Sequence, residues 1–334
     1  MLIEALLTFG ISLLLVWNVR YFAPKIGLLD IPNERSSHSR VMPRGGGLGF
    51  TLAVLIVFPL FHIELFQEYF WVLLAILLVL IVGFLDDHKD TSPNTKFIVI
   101  MLATVLLYFD DIVIRDLGTF FGWHFYLGWL ALPFTLLAVV GFTNALNLID
   151  GLDGLAAGIS LVIFGALFTI GYLNNDMFIQ VLSLGFIVAL LAFLVFNWHP
   201  ASIFMGDSGS LVLGFVIALL AIKALAYIPA VSILFLAAVP NMDVLIVLVR
   251  RKLHGRPVFT ADKCHVHHIV HQFFENNTQK TVLFLIILQA IYSMTALQLD
   301  KNTDEGLLLI LFILNIIILY VGLAEVIKRQ KREC

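Results

Sequence analysis

Eleven long apolar runs separated by short polar breaks leave this chain few ways to fold. They lie near residues 2–22, 46–62, 69–85, 97–114, 127–146, 154–173, 178–196, 210–228, 229–249, 281–299 and 306–327. Each is long enough to cross a hydrocarbon layer of about 30 Å as a helix, whereas a barrel strand would read as about ten residues of alternating polarity. Backbone amides inside a bilayer must pair within their own segment, so the expected fold is all-α and integral to the membrane: a polytopic bundle of about eleven transmembrane helices. Composition agrees, with 60% hydrophobic and 13% charged residues and a mean hydropathy of +1.00, far from soluble domains. The run near 97–114 is the weakest, because Asp110 and Asp111 interrupt it. The first run lacks a basic n-region and a small-residue cleavage site, so it reads as a retained helix. Nothing separates off as a soluble domain or a repeat, and residues 1–334 are expected to form one membrane domain.

Lys and Arg then assign the sides. Placing the N-terminus outside and the C-terminus in the cytosol puts 17 of the 20 basic residues on the cytosolic side, with Arg115 and Lys301 outside and Lys223 inside a span. Cys264 and Cys334 both fall on the cytosolic side, where a disulfide is not expected. The net charge of −3 carries little information when charges are partitioned by side. No nucleic-acid partner is expected; the bilayer is the first partner.

The same topology gathers the unusual polar clusters on the cytosolic face, although the basic residues alone decided it. Asp86-Asp87-His88-Lys89-Asp90 closes the third run. Adjacent carboxylates at a membrane boundary need a cation, a shared proton or open water, so they suit Mg²⁺ binding or proton abstraction, or else a solvated helix end. Asn144, Asn147 and Asp150 follow at intervals of three, with Asp153 beyond them and Gly151 and Gly154 allowing close approach of a ligand. Before the eighth run, Gly206-Asp207-Ser208-Gly209 suits a metal carboxylate flanked by backbone donors, with a helix cap as the plainer reading. Between residues 250 and 280, Arg256 and the run His265-Val266-His267-His268 offer phosphate donors. Zinc is a rival there, since His267 and His271 are four apart and Cys264 is close. Arg44 and the glycines Gly45 to Gly47 at a helix start suit a phosphate cradle. Asp243, three residues after Pro240 within a span, is a candidate by its cost alone, whereas Lys223 can snorkel and Asp110-Asp111 reads as a solvated end on the outer side. A proton-coupled transporter or flippase is the main rival to an enzyme, although transport sites lie near the midplane.

Taken in order, the segment from Asn33 to Gly47, Asp86-Asp87, Asn144 to Gly154, Phe204 to Gly209 and His265 to His268 resemble the five motifs of the polyprenyl-phosphate N-acetylhexosamine-1-phosphate transferases. The run His-Val-His-His after Asp-Lys-Cys is nearer the enterobacterial-common-antigen and teichoic-acid initiators than the branch with three consecutive histidines. The stretch from Asn33 to Gly47 is also similar to O-antigen initiators. The resemblance implies an enzyme of the bacterial inner membrane that transfers a sugar 1-phosphate, N-acetylglucosamine 1-phosphate or a related hexosamine, from a UDP-sugar to undecaprenyl phosphate, releasing UMP. It implies Mg²⁺, with Mn²⁺ able to substitute. By carry-over, Asp207 binds the metal with Asp87 in support, and Asp86 deprotonates or positions the lipid phosphate. Asn147, Asp150 and Asp153 surround the diphosphate, and His265, His267 and His268 lie near the phosphates. The expected site thus has Asp86, Asp87, Asp150 and Asp153 as catalytic groups, Asp207 and Asp87 on the metal, and Asn144, Asn147, Arg44, Arg256, Asp243 and the three histidines on substrate. Direct displacement is the simpler mechanism, with an aspartyl-phosphate route as its alternative. A homodimer is one assembly such a bundle can form.

Overall fold

The computed structural model describes residues 1–32, 40–253, 255 and 265–329. Arg256, Cys264, Cys334 and the stretch 33–39, all named above, lie outside the described residues. In chain order the helices are α1 (Leu2–Ile26), α2 (Gly46–Phe61), α3 (Ile63–Glu68), α4 (Phe70–Lys89), α5 (Pro93–Leu107), α6 (Ala131–Ile149) and α7 (Leu155–Asn174). They continue as α8 (Met177–Asn197), α9 (Asp207–Ala224), α10 (Ser232–Leu236), α11 (Ala238–Leu253), α12 (Val266–Phe273), α13 (Thr278–Leu297) and α14 (Glu305–Arg329). The strands are two short antiparallel pairs, β1 (Leu29–Asp30) with β2 (Met42–Pro43), and β3 (Asp116–Phe120) with β4 (Trp123–Tyr126).

Every expected apolar run contains a helix. Nine of the described helical segments are long and apolar enough to cross a membrane, α2 is a shorter apolar helix, and α11 carries Arg250, Arg251 and Lys252 in its last turn. The chain is a multi-pass membrane protein. The weak fourth run forms α5 and a 3₁₀ turn, Tyr108–Asp110, with Ser92 accepting from the Thr95 amide at 3.2 Å and Pro93 opening the helix.

The ninth run departs from the expected single helix. It breaks at Ala237 into α10 and α11, and Pro240 is the physical reason, since it has no amide to give back to the carbonyl of Leu236. That carbonyl instead accepts from Gln289 Nε2 and Ser293 Oγ of α13, both at 2.8 Å, while Gln289 Oε1 accepts from the Val239 amide at 2.9 Å. Two buried side chains thus satisfy the polar groups that the break exposes, as an apolar solvent requires.

The centre of the bundle is α9, which is 89% buried over its span and packs on α2, α4, α6 and α7, whereas α1 and α14 lie at the periphery. Glycine permits the close crossings. A Cβ on Gly47 would stand 2.0 Å from the Gly209 nitrogen, and one on Gly83 2.6 Å from the Asp207 carbonyl and the Ser208 Cα. These crossings bring the starts of α2 and α9 against the end of α4. The amides of Gly46 and Gly47 donate to the carbonyls of Phe204 and Met205 at 3.0 and 2.9 Å. For Gly46 and Gly47 the phosphate-cradle reading is therefore corrected: protein carbonyls already occupy both amides, and the missing side chains serve packing.

At the opposite end, Asp110 is not a solvated helix terminus, because its Oδ2 accepts from the Val72 amide at 2.7 Å in the first turn of α4. Lys223 does more than snorkel: it donates to the Tyr69 hydroxyl at 2.8 Å and lies 3.6 Å from Asp176.

Candidate active site

The close crossings place Asp87 under the first turn of α9. Its two oxygens accept from the amides of Asp207 and Ser208, at 2.8 and 3.1 Å, so a buried carboxylate from α4 caps α9 across 120 residues of sequence. A negative group at a helix start is stabilised by the exposed amides and the dipole. The effect here is to fix Asp207 at the mouth of the bundle.

Asp207 is held from both sides. Its Oδ2 accepts from Lys96 Nζ at 2.8 Å, and its Oδ1 from Asn147 Nδ2 at 3.0 Å, with Asn147 also 2.8 Å from Ser210 Oγ. Lys96 lies 3.2 Å from Asp86 Oδ2, and the other Asp86 oxygen accepts from the amide and hydroxyl of Thr91 at 2.9 and 2.8 Å. Lys96 thus bridges two carboxylates from different helices. Sequence reading counted it only as a cytosolic charge; the available signal was a basic residue directly at the start of an apolar run.

Asp207 and Asn147 edge a cavity of about 320 Å³, whose lining also includes Asp87, Asp150, Asp153, Arg44 and His268, while Lys96 lines a small adjoining crevice and Asp86 stands behind Lys96, outside the lining. The β1–β2 hairpin brings Arg44 and Asp30 to its rim, and Arg44 pairs with Asp90 at 3.2 Å. Asp30 and Asn197 line the cavity without having been singled out in the sequence. Asn197 accepts from the Gly154 amide at 3.0 Å and donates to the Ile203 carbonyl at 2.9 Å, which ties the 150–154 turn to the segment leading into α9.

Asp150 lies in that turn, outside the spans, and its carboxylate accepts no hydrogen bond among the described residues. Burial, and then the neighbouring charges of Asp207, Asp87 and Asp153, push its pKa up to about 7. Asp153 is better partnered: its Oδ2 is 2.7 Å from His199 Nδ1 and accepts from the Ala201 amide at 3.0 Å. It holds the 198–204 loop while facing the cavity.

The histidine motif divides. His268 lines the cavity. His267 is buried with both ring nitrogens lacking a partner among the described residues, and it packs so close to Gly151 that a Cβ there would stand 2.6 Å from its Nε2. Burial, reinforced by His268, His265 and His271, holds its pKa well below the usual imidazole range. His265 is outside the lining and pairs with Asp243 at 2.6 Å. Asp243 therefore does not line the cavity either, and the expectation that it binds substrate is corrected. Asn144 lines a small adjoining crevice with Pro93, Lys96 and Asn147 instead of the main cavity. His271 meets Thr278 Oγ1 at 3.2 Å, and among the described residues no three His, Cys, Asp or Glu side chains gather as a metal-ligand group.

What remains is an anion-rich pocket of carboxylate and amide oxygens, the donor chemistry of a hard cation and not of zinc. Within the bundle, a second, apolar groove of about 330 Å³ runs between α6, α9 and the broken helix, with Leu137, Phe142, Ala145, Ala221 and Leu245 among its walls.

The model of glycosyl transferase family 4 matches residues 69–225, which hold Asp86, Asp150 and Asp207. Over 326 residues the chain is 34% identical to a probable undecaprenyl-phosphate N-acetylglucosaminyl 1-phosphate transferase of Bacillus subtilis (strain 168), covering 94% of this chain and 90% of that protein. It is 30% identical over 323 residues to an undecaprenyl-phosphate alpha-N-acetylglucosaminyl 1-phosphate transferase of Yersinia pestis, covering 93% and 88%. The enzyme of the same name in Escherichia coli (strain K12) is 28% identical over 317 residues, covering 92% and 86%. Similarity at this level over nearly the full length, with Asp87, Asp150, Asp153 and Asp207 of the cavity inside the matched segment, makes the chain a multi-pass member of glycosyl transferase family 4.

Proposed function

We propose that this enzyme transfers N-acetylglucosamine 1-phosphate, or a closely related N-acetylhexosamine 1-phosphate, from its UDP-sugar to undecaprenyl phosphate. The products are UMP and the undecaprenyl-diphosphate sugar, the first step of a lipid-linked cell-surface polysaccharide. The observation that carries the reading is Asp207, clamped between Lys96 and Asn147 at an anion-rich cavity. The names of the relatives supply the substrates. The apolar groove supports a long isoprenoid chain as acceptor.

In the proposed reaction, an oxygen of the lipid phosphate attacks the sugar-linked phosphorus of the UDP-sugar, and the bond from that phosphorus to the UMP oxygen breaks. Lys96 attracts the lipid phosphate and screens it from Asp86 and Asp207, while Arg44 and His268 lie where they can donate to the diphosphate. Asp86, anchored by Thr91, is the group to accept a proton from that phosphate. Asp87 keeps Asp207 aimed at the cavity. Mg²⁺, with Mn²⁺ able to substitute, is the proposed cofactor, held by Asp207 with Asp150 beside it, and when bound it supplies charge neutralisation at the diphosphate. The site lies at helix ends and not midway along the helices, which favours this reading over transport. The proposed orientation puts the site in the cytosol, where nucleotide sugars are made, with the N-terminus across the bacterial inner membrane.

Purified enzyme incubated with undecaprenyl phosphate and a panel of UDP-sugars tests the proposal through UMP release. Release that needs both lipid and Mg²⁺ is expected. Release without lipid, or none with any sugar from folded protein, would overturn it. A labelled covalent enzyme intermediate trapped without lipid would overturn the single displacement.

A further inference from the structure

Asp243 is fully buried in α11, within an apolar segment where an ionised carboxylate is costly unless every oxygen is satisfied. Both oxygens are. Oδ2 lies 2.6 Å from His265 Nδ1, and Oδ1 accepts from the Val266 amide at 2.5 Å. A carboxylate at this position can only accept, so Nδ1 carries the proton. His265 caps α12 and Val266 is its first residue, so one side chain grips two consecutive donors where the helix begins. A helix of eight residues has little stability of its own and depends on such contacts for its position. Two and three residues further on, the same turn carries His267 against Gly151 and His268 into the cavity lining.

We propose that Asp243 is a positioning residue and His265 its strut: together they lock the start of α12 so that His268 stands at the cavity. This rests on the transferase reading above. It removes Asp243 and His265 from the groups that touch substrate and leaves His268 as the member of the motif that does. The imidazole of His265 then matters for its Nδ1–H alone. An asparagine there offers an amide N–H at about the same distance from the backbone, whereas alanine offers none.

The test compares H265A, H265N, D243A and the double variant D243A/H265A with the full-length wild type in detergent. Turnover is read as UMP release and the seat of α12 as hydrogen–deuterium exchange over residues 266–273. H265A and D243A are expected to lower kcat about 10- to 100-fold with little change in KM for the UDP-sugar, a range seen when orienting partners are lost. The double variant should be no worse than D243A alone, because the His265 strut acts only through Asp243. H265N should recover activity to within a few-fold of wild type and restore slow exchange over α12. If H265N is as impaired as H265A, His265 touches substrate and the strut is overturned; losses that multiply in the double variant also overturn it. Should D243A not fold, H265A against H265N decides alone. Exchange does not need turnover, so a wild type that releases no UMP would sink the transferase reading while leaving the strut measurable.

Discussion

Replacing Asp150 with Asn removes one ionisable group from the turn where three other aspartates converge, at nearly constant shape. The wild-type carboxyl has a pKa of about 7 in the folded protein, against an ordinary value of 3.8, with burial as the main cause and Asp207, Asp87 and Asp153 adding to it. A group whose pKa is raised on folding binds its proton more tightly in the native state. Its proton-linked stability is therefore complete below about pH 4 and is lost as pH rises to about 7. Across that interval, at about 1.4 kcal/mol per pH unit, the folded wild type forfeits about 4 kcal/mol, which is an upper limit because water reaches part of the turn. The Asn variant has no such proton to lose. In EDTA, the D150N protein should equal the wild type near pH 4 and exceed it by up to about 4 kcal/mol above pH 7. A divalent cation should narrow the gap at pH 8, since it offsets the charge that the wild type carries. Denaturation followed by thermal scanning in detergent at pH 5, 6, 7 and 8, with EDTA or MgCl₂, measures this. A difference that does not change with pH would refute the reasoning, as would a variant less stable than wild type at pH 8 without metal.

Asp207→Asn and Asp86→Asn should each abolish UMP release while leaving the elution profile and melting curve of the purified protein intact; near-normal turnover in either would remove its proposed role. Lys96→Met should lower kcat by about 10²- to 10³-fold, the scale of losing one preorganised donor to charge that develops in a transition state, and an unchanged kcat would mean that Lys96 only balances charge. Gly47→Ala should cost at least about 2 kcal/mol in thermal unfolding, because its Cβ would meet the Gly209 nitrogen at 2.0 Å and backbone cannot yield as a side chain does.

Much of this architecture is legible in the chain because a bilayer imposes a local rule. A segment in hydrocarbon must satisfy its own amides, so run length and hydropathy alone locate the helices, and nine of the expected spans meet both criteria in the structure. The polar clusters stood out for a related reason: Asp86, Asn147, Asp150 and Asp207 are costly residues at the ends of apolar runs. Their partnerships were not legible. Asp87 caps α9 from 120 residues away, Lys96 reaches Asp207 across 111, and Asp243 meets His265 across 22, and no periodicity encodes which helix ends become neighbours. Glycines that looked like a phosphate cradle turned out to be a crossing point, because a missing side chain looks the same in sequence whether a ligand or another backbone fills the space. The sequence by itself determined which segments form the membrane-length helices and which residues are costly at their ends. Only the tertiary structure decided which of them face the cavity, because contacts between helices depend on how side chains interlock across distant segments and not on the composition of any one of them.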